Sequence, residues 1–269
     1  MKKKLLVILM AVLMVAAFAG CGSAQAGDIF IEEGKIKVGL EPEYPPMEFK
    51  DDNGNLTGFD VELMTEIAKR MGVEVEFVET GWDGIFMGLD AGTYDVVCSG
   101  VSITNDRLKE NKMIFTDPYM NNGQYIIVPK GVTDINQPED LAGKKVGVQF
   151  ATTSDEACIK HLETVQFDLQ KYDTVQQAFM ALEAGHIDVV VTDASVAIAF
   201  VNENAEKFDI STAKLTNEPM AIAARVGNDK LVEELNKVLD EMRADGTLKT
   251  LSEKYIGTDA TNDIDTVIK

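Results

Sequence analysis

Cysteine, histidine and tryptophan are scarce in this chain: three, two and one among 269 residues. So few cysteines exclude a disulfide framework, and none stand at C-x-x-C or a comparable metal-ligand spacing. His161 and His186 belong to no partner motif. A Gly-x-Ser-x-Gly elbow, a phosphate loop and a dinucleotide fingerprint are all missing, and no side chain reads as a nucleophile beside a base. The expectation is therefore a protein that is not an enzyme and uses no cofactor and no metal. Basic residues are short as well. Beyond residue 20 there are 22 against 45 acidic ones, a net charge near −23. That balance excludes nucleic acid, whose phosphates need a basic footprint, and electrostatic attachment to an anionic bilayer. Past the first 17 residues no apolar run is long enough to cross a membrane.

The start of the chain reads as targeting rather than fold. Lys2, Lys3 and Lys4 precede an apolar stretch from Leu5 to Ala17, too short for a span and right for a secretory h-region. Phe18-Ala19-Gly20-Cys21 looks like the lipobox of bacterial lipoproteins, with Phe18 where Leu is commoner. Lipidation of Cys21 would anchor the chain outside the cytoplasm, whereas ordinary secretory cleavage would leave Cys21 incidental. Gly22 to Gly27 reads as a flexible tether.

The strongest internal signal is a repeat at an offset of 93 residues. Ile85-Phe86-Met87-Gly88-Leu89-Asp90-Ala91-Gly92-Thr93-Tyr94-Asp95-Val96-Val97 matches Ala178-Phe179-Met180-Ala181-Leu182-Glu183-Ala184-Gly185-His186-Ile187-Asp188-Val189-Val190. Each copy reads as an amphipathic helix, a glycine stop and a short buried strand. Gly34–Leu40 and Gly143–Val148 echo each other as opening strands. The period is too long for a solenoid and suits two α/β domains of like design with parallel βαβ units. Asp60 is placed to cap a helix through Val61, Met64, Ile67, Ala68 and Met71, which Gly72 stops. Asp51-Asp52-Asn53-Gly54-Asn55 has calcium-loop composition, but Leu56 stands where such a loop needs glycine, so a hairpin turn is expected.

Polar groups follow each strand: Glu41 and Tyr44; Ser99, Gly100, Ser102 and Arg107; Gln149, Thr152 and Thr153; Thr192 and Asp193. Carboxyl ends of parallel strands are where open α/β sheets bind ligands. Arg107 offers a fork for a carboxylate, or pairs with an acidic neighbour on the surface. Asp193 caps a helix, or faces a ligand ammonium, or both. Opposite charges from the two halves suit a zwitterion. Tyr44 and Trp82 are walls for a ligand side chain, or core.

With these residues in view, the chain resembles the polar-amino-acid substrate-binding proteins of ABC importers. The marks are Tyr44-Pro45-Pro46-Met47, Gly58-Phe59-Asp60, Ser102-Ile103-Thr104 with Arg107, Phe115-Thr116-Asp117-Pro118-Tyr119, Gly147-Val148-Gln149 with Thr152-Thr153, and Thr192-Asp193. The resemblance implies a periplasmic-binding-protein-like fold, two α/β lobes joined by two crossing hinge strands near Gln124–Pro129 and Glu218–Ala223. It divides the chain into a signal peptide (1–20), anchor and tether (21–34), lobe 1 (35–126 plus 221–269) and lobe 2 (127–220). It implies that Arg107 and Ser102 hold an α-carboxylate with help from Thr152 and Thr153. Asp193 and the Gly100 carbonyl would hold the α-ammonium, Ser99 would join the site, and Tyr44 and Trp82 would sandwich the side chain. Glu41 and Gln149 would tune specificity, and Glu41 suggests a basic side chain. Phe150 departs from the smaller or polar residue usual at its place. A monomeric lipoprotein that hands a free amino acid to a permease is the implied function. A dehydratase of prephenate or arogenate and an amino-acid sensor are the alternatives on the same fold.

Overall fold

The computed structural model describes residues 29–266 and 268. The targeting stretch, Cys21 and the tether lie outside the described residues. The first sequence block supplies β1 (Lys35–Leu40), β2 (Glu43–Tyr44), β3 (Glu48–Lys50), β4 (Leu56–Thr57), α1 (Phe59–Met71), β5 (Glu74–Glu79), α2 (Ile85–Asp90), β6 (Val96–Val97), α3 (Asn105–Glu110) and β7 (Met113–Phe115). The second supplies β8 (Gln124–Pro129), β9 (Lys145–Gln149), α4 (Thr153–Leu162), β10 (Asp168–Tyr172), α5 (Val175–Glu183), β11 (Val189–Asp193), α6 (Ala194–Glu203) and β12 (Phe208–Lys214). The chain closes with β13 (Ala223–Arg225), α7 (Asp229–Ala244) and α8 (Thr247–Tyr255).

Two five-stranded sheets result, ordered β5-β1-β6-β13-β7 and β10-β9-β11-β8-β12. In each, the second strand in this order pairs in parallel with both its neighbours, β5 and β6 on β1, β10 and β11 on β9. The next strand out runs antiparallel in both. The sequence repeat thus corresponds to α2–β6 and α5–β11, in equivalent places of two sheets with one design. Parallel strands are covered on both faces, which is why β6 and β11 are buried at every residue.

Helix α1 shows how pattern becomes packing. Leu63, Met64 and Ile67 are fully buried on one face, each contributing about 1.5–3 kcal/mol of transfer free energy. Gly72 ends the helix in a left-handed conformation with its N–H on the Ala68 and Lys69 carbonyls. α7 presents Leu231, Leu235, Val238, Leu239 and Met242 in the same manner, and α7 and α8 pack on α1. Asp60 does not cap α1, contrary to the sequence expectation. The cap position is Gly58, at φ 129, where a Cβ would collide with the Met47 carbonyl. Asp60 turns inward instead, fully buried. The Asp51–Asn55 segment is the turn between antiparallel β3 and β4, with Asp51 Oδ1 accepting from the Asn53 and Asn55 amides. Cys98 and Cys158 are free and buried.

Gln124–Pro129 lies wholly in the second sheet, because β8 pairs along its length with β11 and β12. The passage between sheets occurs just before it. There residues 120–124 run beside 215–220, joined by Met220 N–H to Met120 O (2.9 Å), Glu218 N–H to Asn122 O (3.1 Å) and Leu215 N–H to Gln124 O (2.9 Å).

Candidate functional site

The carboxyl ends of the central strands of both sheets face one another across a cleft. A space of about 280 Å³ lies there, lined by Glu41, Tyr44, Trp82, Ser99, Gly100 and Arg107 from the first part of the chain and Gln149, Thr152, Thr153 and Asp193 from the second. Ten of the eleven residues singled out from sequence meet at this space. Ser102 is the exception. It is buried behind the wall, its carbonyl accepting from Arg107 Nη1 at 2.8 Å and its hydroxyl accepting from Asn122 Nδ2 at 3.2 Å.

Arg107 sits in α3, whose cap, Thr104, accepts the Arg107 amide at 3.1 Å. Its guanidinium lies 5.0 Å from the centre of the Phe86 ring and 5.8 Å from that of Trp82. It is buried, and among the described residues no carboxylate comes within salt-bridge distance of it. Burial draws its pKa down from the ordinary value, against the attraction of Glu156, Glu218 and Asp193. A desolvated arginine whose fork lacks an anion is a strong receptor for a carboxylate. The start of α4 faces the same space. Thr152 is its cap, accepting the Asp155 amide at 3.3 Å and donating to the Gln149 carbonyl at 2.8 Å. A helix start adds free N–H groups and positive potential.

Asp193 ends β11 at the opposite side. It is the cap residue of α6 by position, but its side chain makes no capping bond. It accepts instead from Tyr44 Oη (2.5 Å), Asn122 Nδ2 (2.7 Å) and Gln124 Nε2 (2.7 Å). All three donors are neutral. Burial pushes its pKa up to about 6, against the hydrogen bonds from Tyr44 and Asn122. Asn122 and Gln124 were not legible as site residues. They lie in the passage between the sheets, and nothing in their local sequence marks them.

Glu41 closes one end of the space. Both its oxygens accept from Gln149 Nε2 at 2.9 Å, and no cation pairs with it among the described residues. Burial pushes its carboxyl up to about 7, opposed by the Gln149 amide. Beyond it the cleft opens to a recess edged by Glu43, Glu79, Asp83 and Asp173. Trp82 spans the mouth, its indole N–H on the Ala151 carbonyl at 2.9 Å, with Phe86 edge-on at 5.3 Å. Ala151 holds φ 59, its amide on Asp155 Oδ2 at 3.1 Å, and Asp155 pairs with Lys171 at 2.8 Å. Phe150 is half exposed at the recess rather than in the pocket, so its bulk takes no volume from the enclosed space.

Comparison with known proteins places this geometry. The model of the bacterial extracellular solute-binding proteins, family 3, matches residues 36–258. The L-cystine-binding protein TcyJ of Escherichia coli K12 is 36% identical over 259 residues, covering 94% of this chain and 96% of that one. Among solved structures, an ancestral arginine-binding protein bound to arginine superposes with a TM-score of 0.77 at 43% identity, covering 83% of this chain and 99% of the other. The same kind of ancestral protein bound to glutamine gives 0.75 at 44% identity, covering 84% and 99%.

Proposed function

Because the chain belongs to family 3 of the bacterial extracellular solute-binding proteins, we propose that its cleft clamps a free L-amino acid with a basic side chain for delivery to an ABC importer. One observation carries the reading. The guanidinium and the two carboxyl groups that line the space, those of Arg107, Asp193 and Glu41, have no salt-bridge partner among the described residues. A zwitterion neutralises two of them, its carboxylate on Arg107 and the α4 start, its ammonium on Asp193 and the Gly100 carbonyl. Glu41 is left over and calls for a cation at the far end of the ligand. The acidic recess outside Glu41 would raise the local concentration of such ligands. TcyJ is named for cystine, and the ancestral relatives are named for arginine, one solved with arginine bound and one with glutamine. The α-amino and α-carboxyl ends are common to all three, so discrimination falls to Glu41 and Gln149.

The two sheets define the lobes of the clamp. Ligand held first on the Arg107 lobe recruits Gln149, Thr152, Thr153 and Asp193 as the second lobe rotates about residues 120–124 and 215–220. The added contacts favour the closed form, which would dock on the permease. The chain acts as a monomer outside the cytoplasm, held at the membrane by lipid on Cys21, a modification visible in the mass of the mature N-terminus.

A thermal-shift screen against free amino acids tests the reading. Arginine and lysine should raise the melting temperature most, with about 2.7 kcal/mol of stabilisation at a hundredfold excess over Kd. A shift with no amino acid would discard it, and turnover of prephenate or arogenate would replace it with the dehydratase reading.

A further inference from the structure

Behind the first-lobe wall of the cleft lie two carboxyl groups that do not line the space. Glu48 opens β3 and Asp60 sits in the first turn of α1, and both are fully buried. Among the described residues neither has a cation within salt-bridge distance. Each is tied to the pocket floor by one oxygen. Ser99 Oγ donates to Glu48 Oε1 at 2.6 Å and accepts the Glu41 amide at 3.0 Å. Gly100 N–H donates to Asp60 Oδ2 at 2.7 Å. The other two oxygens, Glu48 Oε2 and Asp60 Oδ1, have no hydrogen-bond partner, and neither has the buried Tyr119 hydroxyl. Buried oxygens left in this way are rare and need an account.

We propose that Glu48 and Asp60 share a single proton, and that this proton-bridged pair positions the Ser99–Gly100 floor and the Glu41 backbone for ligand. Two buried like charges cannot both ionise when no cation answers them. One proton between Glu48 Oε2 and Asp60 Oδ1 removes that conflict and supplies a partner to both orphan oxygens. The bonds to Ser99 and Gly100 stay in place, because each uses the other oxygen of its carboxyl. The remaining titratable groups facing the pair are Glu41, Tyr44, Cys98 and Tyr119, and none of them is a cation. Burial and the neighbouring Asp60 hold the Glu48 carboxyl well above its usual range. The proton therefore belongs to the folded chain and not to the unfolded one.

The link to ligand rests on the amino-acid-binding reading, whereas the proton does not, and the measurements separate the two. Infrared spectra of the ligand-free chain at pH 8, where Glu41 and Asp193 are ionised, should show a carboxylic-acid C=O band that is absent in Glu48→Gln. Folding stability followed from pH 5 to 8 should fall in the wild type relative to Glu48→Gln, by up to tenfold in the folding constant per pH unit. Arginine affinity should stay within about threefold in Glu48→Gln, whose amide reproduces the protonated acid. It should drop on the order of tenfold in Glu48→Leu, which leaves Ser99 without its acceptor. Absence of the band from the wild type, or parallel pH curves for wild type and Glu48→Gln, would overturn the shared proton. Equal arginine affinity in Glu48→Leu and the wild type would overturn the positioning role. Band and slope need only the wild type and Glu48→Gln if Glu48→Leu does not fold, and they decide the pair whether or not any amino acid binds.

Discussion

Replacing Arg107 by methionine keeps the apolar stem and removes the fork. In the ligand-free protein the losses are modest. One bond to the Ser102 carbonyl goes, worth about 1 kcal/mol, together with contacts to the Phe86 and Trp82 rings worth about 0.5–1 kcal/mol each. Against them stands relief from keeping a desolvated guanidinium without an anion. The terms nearly cancel, so the melting temperature of ligand-free Arg107→Met should stay within a few degrees of wild type. With ligand the sum is one-sided. Truncating one partner of a buried charge pair costs about 2–5 kcal/mol, or roughly 30- to 5,000-fold in Kd at about 1.36 kcal/mol per decade. Titration calorimetry with arginine, lysine and glutamine reads the effect. The loss should be of the same size for all three, because the α-carboxylate is common to them. Unchanged affinity would refute the assignment of Arg107 to the carboxylate. A loss confined to one ligand would show that Arg107 reads the side chain instead.

Glu41→Gln should weaken arginine and lysine by tenfold or more and leave glutamine nearly unaffected, as measured by the same titrations. In the wild type, arginine affinity should fall about tenfold between pH 8 and pH 6, since a carboxyl near 7 is mostly protonated one unit lower. Stability of the ligand-free fold has the opposite trend. Folded Glu41 holds a proton that the unfolded chain releases near 4.5, so its contribution declines as pH rises from about 4.5 to about 7, and Glu41→Gln removes its share of both dependences. Ala151→Gly should raise the melting temperature by about 2–4 °C, because φ 59 costs alanine roughly 1 kcal/mol that glycine does not incur. No gain in a calorimetric scan would show that the Asp155 bond already compensates the strain.

The duplication was the most legible part of the fold. The two copies keep the same apolar positions because α2–β6 and α5–β11 bury the same faces, and burial pattern is what a sequence displays. Strand ends were legible for a related reason, since polar residues after Val-rich runs stand out. What stayed hidden depended on side-chain direction. Asp60 beside a helix start looks like a cap, and only the close approach of Gly58 to Met47 shows why it points inward. Glu48 lies between Met47 and Phe49 in a short strand, an odd place for a charge. That oddness was the available signal for the buried pair. Asn122 and Gln124 carry no signal at all, because their meaning comes from Asp193, some 70 residues away. Ser102 alone of the expected residues stands outside the lining of the space, where its carbonyl accepts from Arg107 Nη1.

Trp82 is the chain's single tryptophan, and it is partly buried at the cleft mouth with its N–H on a carbonyl of the facing lobe. All indole emission of this protein therefore originates at the seam between the lobes. Opening the seam would break that bond and admit water to the ring, so both the colour and the intensity of the light would change with the angle of the clamp. The molecule carries its own optical gauge of closure, usable in stopped flow without labels or engineered residues. The time course it records would separate ligand arrival from lobe rotation.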